Sequence, residues 1–357
     1  MSKSKLTLIV DGNWLFMSRL SVISNQYIDD YELCQNLKIL MIKSINVVLR
    51  KFPNIDNIIF VADGGSWRNS IKVPEWLVKY SEKNSVPVEY KGTRVKSEEV
   101  NWDLLFTEYE NFMTTLKMTG INVCKEQNIE GDDWCWWWST YLNSQGTNCI
   151  IWTKDNDLKQ LVNINSDKCF TAWWNTDTGL FIKNYKEEEF DFLFNMSFNE
   201  NEQIWEQCEK YAKVVNKIDP STIIIDKIIK GDVSDNILPI ILRTSKSNSS
   251  KKFKVSTKDI NYQLNILDNK EVNTYIHNLV NSKNYVNRID ENKSEKDILE
   301  HFNFNKQLIV LQKDSYPKEI LDILNNYKEY NVSKDTTEAE SQIMAMANKL
   351  NGILNII

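Results

Sequence analysis

Histidine, glycine and paired cysteine are the scarce materials of this 357-residue chain. The two histidines, His277 and His301, leave too little for a Ser-His-Asp triad, a histidine-based nuclease or a His-rich zinc site. Any hydrolytic chemistry must run on carboxylates and metal. The ten glycines include no GxGxxG run and no GxxxxGK followed by Ser or Thr, which argues against an ATP- or GTP-driven motor and a dinucleotide-dependent dehydrogenase. The six cysteines (34, 124, 135, 149, 169 and 208) form no CxxC pair, as suits a reducing compartment and neither a disulfide framework nor a structural zinc. The first apolar run, Leu6 to Val10, is too short for a signal peptide, and no apolar stretch of about 18 residues follows. The expectation is a soluble, cytoplasmic protein with no membrane partner. The net charge of −6, from 43 Lys+Arg against 49 Asp+Glu, speaks against a uniformly basic DNA-wrapping surface but leaves room for basic stripes beside an acidic site.

What is present is an alternation of short β-rich runs with amphipathic segments, the mark of an α/β fold with a mostly parallel sheet. Leu6–Val10 and Ile58–Ala62 each end directly on an acid, Asp11 and Asp63; Ile121–Cys124 follows, and Asn148–Trp152 runs into Thr153-Lys154-Asp155. Functional crevices of open α/β sheets lie at the carboxyl ends of strands, so these acids are expected on one edge. Helices are expected over Tyr31–Lys51, Ser97–Met118 and Asp132–Leu142, and a hairpin over Phe170–Trp174 and Leu180–Lys183. Beyond about residue 185 the chain reads as helical to its end. A stripe of Ile343, Met346, Leu350, Ile353 and Ile357 behind a capping box (Thr337, Glu340) reads as a docked final helix or as a partner-binding peptide.

Four acidic clusters stand out: Asp11 with Asp63, Glu130-Gly-Asp132-Asp133, Asp155-Asn-Asp157, and Asp232-Val-Ser-Asp235-Asn236. Singly, each reads as a cap or turn. Jointly they would repel, since two like charges about 4 Å apart cost on the order of 4 kcal/mol at an effective dielectric near 20. Cations must compensate, and oxygen-only ligands select Mg²⁺, or Mn²⁺ as a substitute. So many carboxylates suggest two ions, an arrangement suited to phosphodiester hydrolysis. From Arg68 to Lys96 the chain carries seven Lys/Arg and three Glu, which reads as a phosphate-facing surface or as an ordinary solvated helix face. The Trp134-Cys-Trp136-Trp137-Trp138 run cannot all face one side of a helix and reads as core packing, as do Trp173 and Trp174.

The order Asp11-Gly-Asn, Asp63-Gly, YKGTR (90–94), EGDD (130–133), TKDNDLKQL (153–161) and GDVSDN (231–236) resembles the 5′-nuclease family of flap endonucleases and 5′–3′ exonucleases, most of all its phage ribonuclease H branch. The match runs from residue 6 to about 240, with a weaker echo to 311. The resemblance implies a PIN-like catalytic domain over 1–185 with a helical arch at about 85–120. It further implies a helical DNA-binding domain over 186–330 that contains a helix, three-turn, helix module, followed by a tail over 331–357. It places Asp11, Asp63, Glu130 and Asp132 on a first metal and Asp132, Asp155, Asp157, Asp232 and Asp235 on a second, with Asp133 acting through water. Lys91 and Arg94 would stabilise charge on the scissile phosphate. Tyr90 would stack on a terminal base, and Arg68 would contact the same phosphate.

One departure stands out. Where the family follows this acidic turn with a glycine-rich, cation-binding turn, this chain has Ile237-Leu-Pro-Ile-Ile-Leu-Arg243 and then SKSNSSKKFK. Arg243, Lys246, Lys251, Lys252, Lys254 and Lys258 form a run without an acid that reads as a side-chain grip on duplex or as a solvated surface loop.

The function expected is that of a monomeric, stand-alone, Mg²⁺-dependent 5′-nuclease cutting near junctions of a 5′ flap or RNA primer with duplex DNA during replication or repair. If phage-encoded, it would work in the host cytoplasm, and the resemblance adds a single-strand DNA-binding protein and a sliding clamp as partners. The alternatives are a PIN-type single-stranded ribonuclease, which needs neither YKGTR nor GDVSDN, and a non-catalytic junction-binding protein.

Overall fold

The apolar runs of the first half assemble into one sheet. The structure, a computed structural model, describes residues 5–24, 29–93, 100–162, 169–177, 179–182, 215–217, 219–242, 255, 257–282 and 294–327. Contacts group the chain into two compact units that interleave along it, Met1–Ser66, Ser97–Ile218 and Tyr316–Ile357 in the first, Trp67–Lys96 and Asp219–Ser315 in the second. The linear reading, with boundaries near 185 and 330, divides the chain differently. Packing explains the interleaving: Tyr316 stacks on Trp136 with ring centroids 4.4 Å apart and Tyr327 meets Trp134 at 4.6 Å, which ties the returning chain to the first unit. Leu77, Tyr80 and Val88 join the apolar cluster built on Ile225, Ile228 and Phe302, which ties 67–96 to the second.

In the first unit, β1 (Lys5–Asp11), β2 (Asn57–Val61), β3 (Asn122–Cys124), β4 (Thr147–Trp152), β5 (Thr171–Asn175), β6 (Gly179–Ile182) and β7 (Val215–Lys217) lie in the order β3-β2-β1-β4-β5-β6-β7. β1 pairs in parallel with β2 and β4, β2 with β3, and β4 with β5. β6 returns antiparallel to β5 as the expected hairpin, and β7 runs parallel to β6. The strand β7 corrects the expectation of helix throughout the second half; three residues, Val-Asn-Lys, carry too little pattern to announce a strand.

Side chains alternate across the strands. Leu6, Leu8 and Val10 of β1, Ile58 and Phe60 of β2, and Ile150 and Trp152 of β4 share a cluster with α1 (Gly12–Ile23), α2 (Asp30–Lys51) and α4 (Trp102–Met118), while α3 (Glu75–Asn84) belongs to the second unit. α5 (Gly131–Ser144) contacts β1, β2 and β4 but contributes nothing to that cluster, so it covers the opposite face. A sheet covered on both faces accounts for near-continuous apolar strands such as LTLIV and NIIFV. The four tryptophans of α5 are buried, as expected of core residues.

The segment expected as an arch, 85–120, is not one element. Residues 86–93 lie in the second unit as turns, 94–99 lie outside the described residues, and the rest is largely α4. That helix starts at Trp102 rather than Ser97 because the Asn101 side chain caps it, accepting from the Leu104 N–H at 3.2 Å. It buries Leu105, Tyr109, Phe112, Met113 and Leu116 against the sheet layer.

The second unit packs α3, α6 (Pro220–Lys230), α7 (Asn269–Val280) and α8 (Glu295–Ile309); α9 (Lys318–Asn326) returns to the first unit. On α8, His301 is fully buried with its ring 5.3 Å from Trp76. Burial drives its pKa down to about 3 against a backbone hydrogen bond at Ile240 that pulls it up, so the imidazole is neutral. The tail 331–357 lies outside the described residues.

Candidate active site

Parallel strands deliver the acids to one edge. β1 ends on Asp11, which also caps α1: one carboxylate oxygen accepts from the Trp14 N–H at 3.0 Å and the other from the Thr153 hydroxyl at 2.7 Å. Gly12 must be a glycine, because a Cβ there would lie 2.2 Å from the Phe60 ring and 2.6 Å from the Tyr109 hydroxyl. Asp63, two residues past β2, accepts from Asn13 Nδ2 at 2.7 Å and from the Gly131 N–H, at the start of α5, at 2.6 Å. A Cβ at Gly131 would stand 3.1 Å from Asp63 Oδ1, so the EGDD glycine lets the helix approach the carboxylate.

Glu130 is the N-cap of α5, buried, and accepts from the Ser66 hydroxyl at 2.7 Å. Beyond β4, Asp155 N donates to Thr153 Oγ1 at 2.9 Å, and the Asp155 carboxylate caps a short 3₁₀ turn, Asn156–Leu161, by accepting from the Asp157 N–H at 2.8 Å. Hydrogen bonds therefore link Asp11, Thr153 and Asp155 in series.

The electrostatics show that the acids act on common neighbours. Burial pushes Asp11 up to about 7; the Trp14 N–H and the Thr153 hydroxyl resist this, and the charges of Asp63 and Asp155 add to it. No cation is among those influences. The buried Cys135 thiol is raised well above its ordinary range by burial first and then by Asp11, Asp132, Asp155 and Asp63. A buried, all-oxygen donor set without a compensating cation at Asp11 fits a hard divalent ion. Asp11, Asp63, Glu130, Asp132, Asp155 and Asp157 are the first-unit residues that could hold one.

Two expected residues have other duties. Asp133 is fully buried and its Oδ2 accepts the Glu130 N–H at 3.0 Å in a reciprocal cap of α5, a duty that occupies one of its two oxygens. Arg68 is 2% exposed, donates from Nε to the Leu308 carbonyl at 2.9 Å and lies over the Trp67 ring; a buried guanidinium holding a backbone carbonyl is a packing element and not a phosphate contact.

In the second unit the acidic turn is bounded by an antiparallel bridge between Asp232 and Ile237. Gly231 enters it at φ +70, where a Cβ would collide with the Ile237 carbonyl at 2.2 Å. Asp232 accepts from the Ser234 N–H and hydroxyl and pairs with Lys227. Burial raises its pKa, but Lys227 and Ser234 prevail and hold the carboxyl below its usual range. Two amides clamp the turn. Asn236, in the left-handed region, donates to the Pro87 and Glu89 carbonyls at 3.1 and 2.9 Å, and the fully buried Asn305 donates to Ile228 and Leu238 at 2.9 and 2.8 Å. The Asp235 carbonyl accepts from the Lys91 N–H at 2.9 Å, and the Lys91 ammonium lies 4.9 Å from the centre of the Tyr90 ring. Lys258 is exposed in a 3₁₀ turn; Arg94, Arg243, Lys246, Lys251, Lys252 and Lys254 lie outside the described residues.

No family model matches the chain, and no curated protein does. Among solved structures, the bacteriophage T5 D15 protein co-crystallised with metal ions is similar at 15% identity and a TM-score of 0.50, over 90% of this chain and 97% of that one. The T5 D15 flap endonuclease in a complex with DNA and metal ions is similar at 15% identity, over 96% and 100% of the two chains, with a TM-score of 0.47. The chain shares the fold of that T5 D15 protein. On this fold the sheet edge carries side chains that the motif reading passed over. Asn13 holds Asp63 through both ends of its amide, taking the Asp63 N–H at 3.2 Å, and the Tyr109 hydroxyl donates to the same Asn13 oxygen at 3.2 Å. Thr153 bonds Asp11, and Ser66 bonds Glu130. Asn13 was discoverable as the third residue of Asp-Gly-Asn; nothing in the sequence singled out Tyr109.

Proposed function

We propose that this chain is a structure-specific 5′-nuclease that uses divalent metal, Mg²⁺ in the cell, to hydrolyse phosphodiesters near junctions of a 5′ single strand or RNA primer with duplex DNA. The observation that carries this reading is the concentration of carboxylates at the sheet edge around a buried Asp11 whose charge no neighbouring cation among the described residues offsets. A divalent ion bound there supplies Lewis acidity, lowering the pKa of a water and neutralising charge on the phosphate. The chain itself does the positioning. The Trp14 N–H and Thr153 orient Asp11, Asn13 and the Gly131 N–H orient Asp63, and Ser66 orients Glu130. Carboxylates held this way present their remaining lone pairs without having to reorganise.

Within this proposal Asp232 and Asp235 contribute to metal binding, Lys91 and Arg94 stabilise charge developing on the phosphate, Tyr90 stacks on a terminal base, and the basic residues of 243–258 grip duplex. The partners are flap-bearing or RNA-primed DNA, with a single-strand DNA-binding protein and a sliding clamp as associates. Labelled flap, nicked and RNA-primed duplexes, incubated with and without Mg²⁺, test it. Mg²⁺-dependent release of short 5′ products from junctions is expected. Cleavage of unstructured single-stranded RNA alone would favour the ribonuclease reading, and tight junction binding without cleavage the non-catalytic one.

A further inference from the structure

The series of hydrogen bonds from Asp11 through Thr153 to Asp155 does not stop at the acids. Trp173 of β5, buried and beside the strand that delivers Asp155, donates its indole N–H to the Asp155 main-chain carbonyl at 2.8 Å. The same indole offers its face to Lys159, whose ammonium lies 4.3 Å from the Trp173 ring centre and 4.1 Å from that of Phe181. Phe181 packs edge-on against Trp173 at 5.0 Å. One ring therefore holds the acidic 3₁₀ turn twice, by its N-cap residue Asp155 and by its fourth residue Lys159. A turn of this length has few hydrogen bonds of its own, and without an outside anchor its two carboxylates would lose orientation.

We propose that Trp173 is the positioning residue of the Asp155–Asp157 pair, fixing the turn through its N–H and through the cation–π contact with Lys159, so that both carboxylates are set for a divalent ion before it binds. This rests on the metal-binding reading of those acids. A merely structural role for Trp173 is separable, because Trp174 next to it is equally buried and packs on the opposite face against Phe52 and Trp152. Lys159 gives a test by sign. As a bystander charge near acidic ligands it would oppose a divalent cation, and its removal would tighten binding; as part of the anchor, its removal weakens binding.

The experiment is calorimetric titration of the intact protein with Mn²⁺, with melting curves recorded for every variant. Trp173→Phe, which keeps a ring and deletes the N–H, is expected to weaken metal binding about tenfold, the lower end of the usual effect of removing a group that orients a metal ligand. Trp174→Phe is expected to lower the melting temperature similarly and leave metal affinity unchanged. Lys159→Met should weaken binding a few-fold and Lys159→Arg should restore it; these two decide the matter if Trp173→Phe does not fold. Unchanged or tightened binding in Trp173→Phe or Lys159→Met, while Asp155→Asn loses metal, overturns the anchor and leaves the nuclease reading standing. Full metal affinity in Asp155→Asn overturns both.

Discussion

Asp11 and Asp232 are the same residue type in similar local roles, each folded into a cap or turn in which it accepts a backbone N–H, yet the chain leaves them in opposite electrostatic states. In the first unit, Asp11 is buried among other acids and rises to about 7. In the second, Asp232 has Lys227 against it and stays below its usual range. A site that must take up a divalent cation has to withhold its own cations, whereas a turn that must keep its shape gains from supplying one. On the proposed reading an ion completes the sheet edge, whereas the 231–236 turn is clamped by Asn236 and Asn305 and offers its acids to metal with Lys227 already beside Asp232.

The comparison breaks most directly if the acids of the sheet edge prove dispensable. Asp132→Asn and Asp155→Asn should each cut single-turnover cleavage by at least about a thousandfold with little loss of junction binding, because each removes charge that bound metal requires. Cleavage at the wild-type rate in Mg²⁺ by either variant sinks the metal assignment. Next in size is Lys91→Ala, expected to slow cleavage by roughly 10² to 10³, or about 2.7 to 4 kcal/mol, and to weaken binding much less. Parallel losses of rate and affinity that track one another across a salt series would make Lys91 a backbone contact only.

These expectations rest unequally on what could be read from sequence. Asp11, Asp63 and Asp155 were legible because buried parallel strands are apolar throughout, so the first acid after such a run marks the carboxyl edge of the sheet. The hairpin expected over Phe170–Trp174 and Leu180–Lys183 was legible from the Asn-Thr-Asp-Thr-Gly turn between its two apolar runs. The capping duty of Asp133 was not legible because adjacent helical positions diverge by about 100°: Asp132 and Asp133 look equivalent in a string, but only the cap geometry shows which one turns back to the Glu130 N–H. Arg68 was misread because its partner, the Leu308 carbonyl, lies 240 positions away, and a cation in a basic stretch reads as surface until its burial is seen. The return of Tyr316 and Tyr327 to the tryptophans of α5 was hidden for the same reason.

The contrast between the units sharpens with pH. An acid whose folded pKa is raised keeps its proton in the native state where the unfolded chain has lost it, so Asp11 costs stability increasingly as pH rises from about 3.8 through 7. In chelator-treated protein, the stability advantage of Asp11→Asn over wild type should grow by about 2 to 3 kcal/mol between pH 5 and pH 8. His301 acts with the opposite sign: neutral and buried, it costs stability as pH falls below 6.5 towards its folded value of about 3. Relative to wild type, His301→Met should therefore gain about 2 kcal/mol between pH 7 and pH 5. Denaturant melts at three pH values measure both. Differences from wild type that stay flat with pH would mean that neither group is held as its burial implies.

The smallest effect expected comes from the compensated acid. Asp232→Asn removes the charge that pairs with Lys227 but keeps a side-chain oxygen for the Ser234 donors, so the loss should be about 1 kcal/mol, typical of one partly exposed ion pair with a charged hydrogen bond. The sign is opposite to that at Asp11. A carboxyl with a depressed pKa contributes stability at neutral pH that is lost as acid protonates it, so the difference between Asp232→Asn and wild type should shrink as pH falls below the ordinary carboxylate range. If Asp232→Asn instead stabilises the metal-free protein, as Asp11→Asn is expected to, then Lys227 does not neutralise Asp232, and the contrast between the two acids is lost.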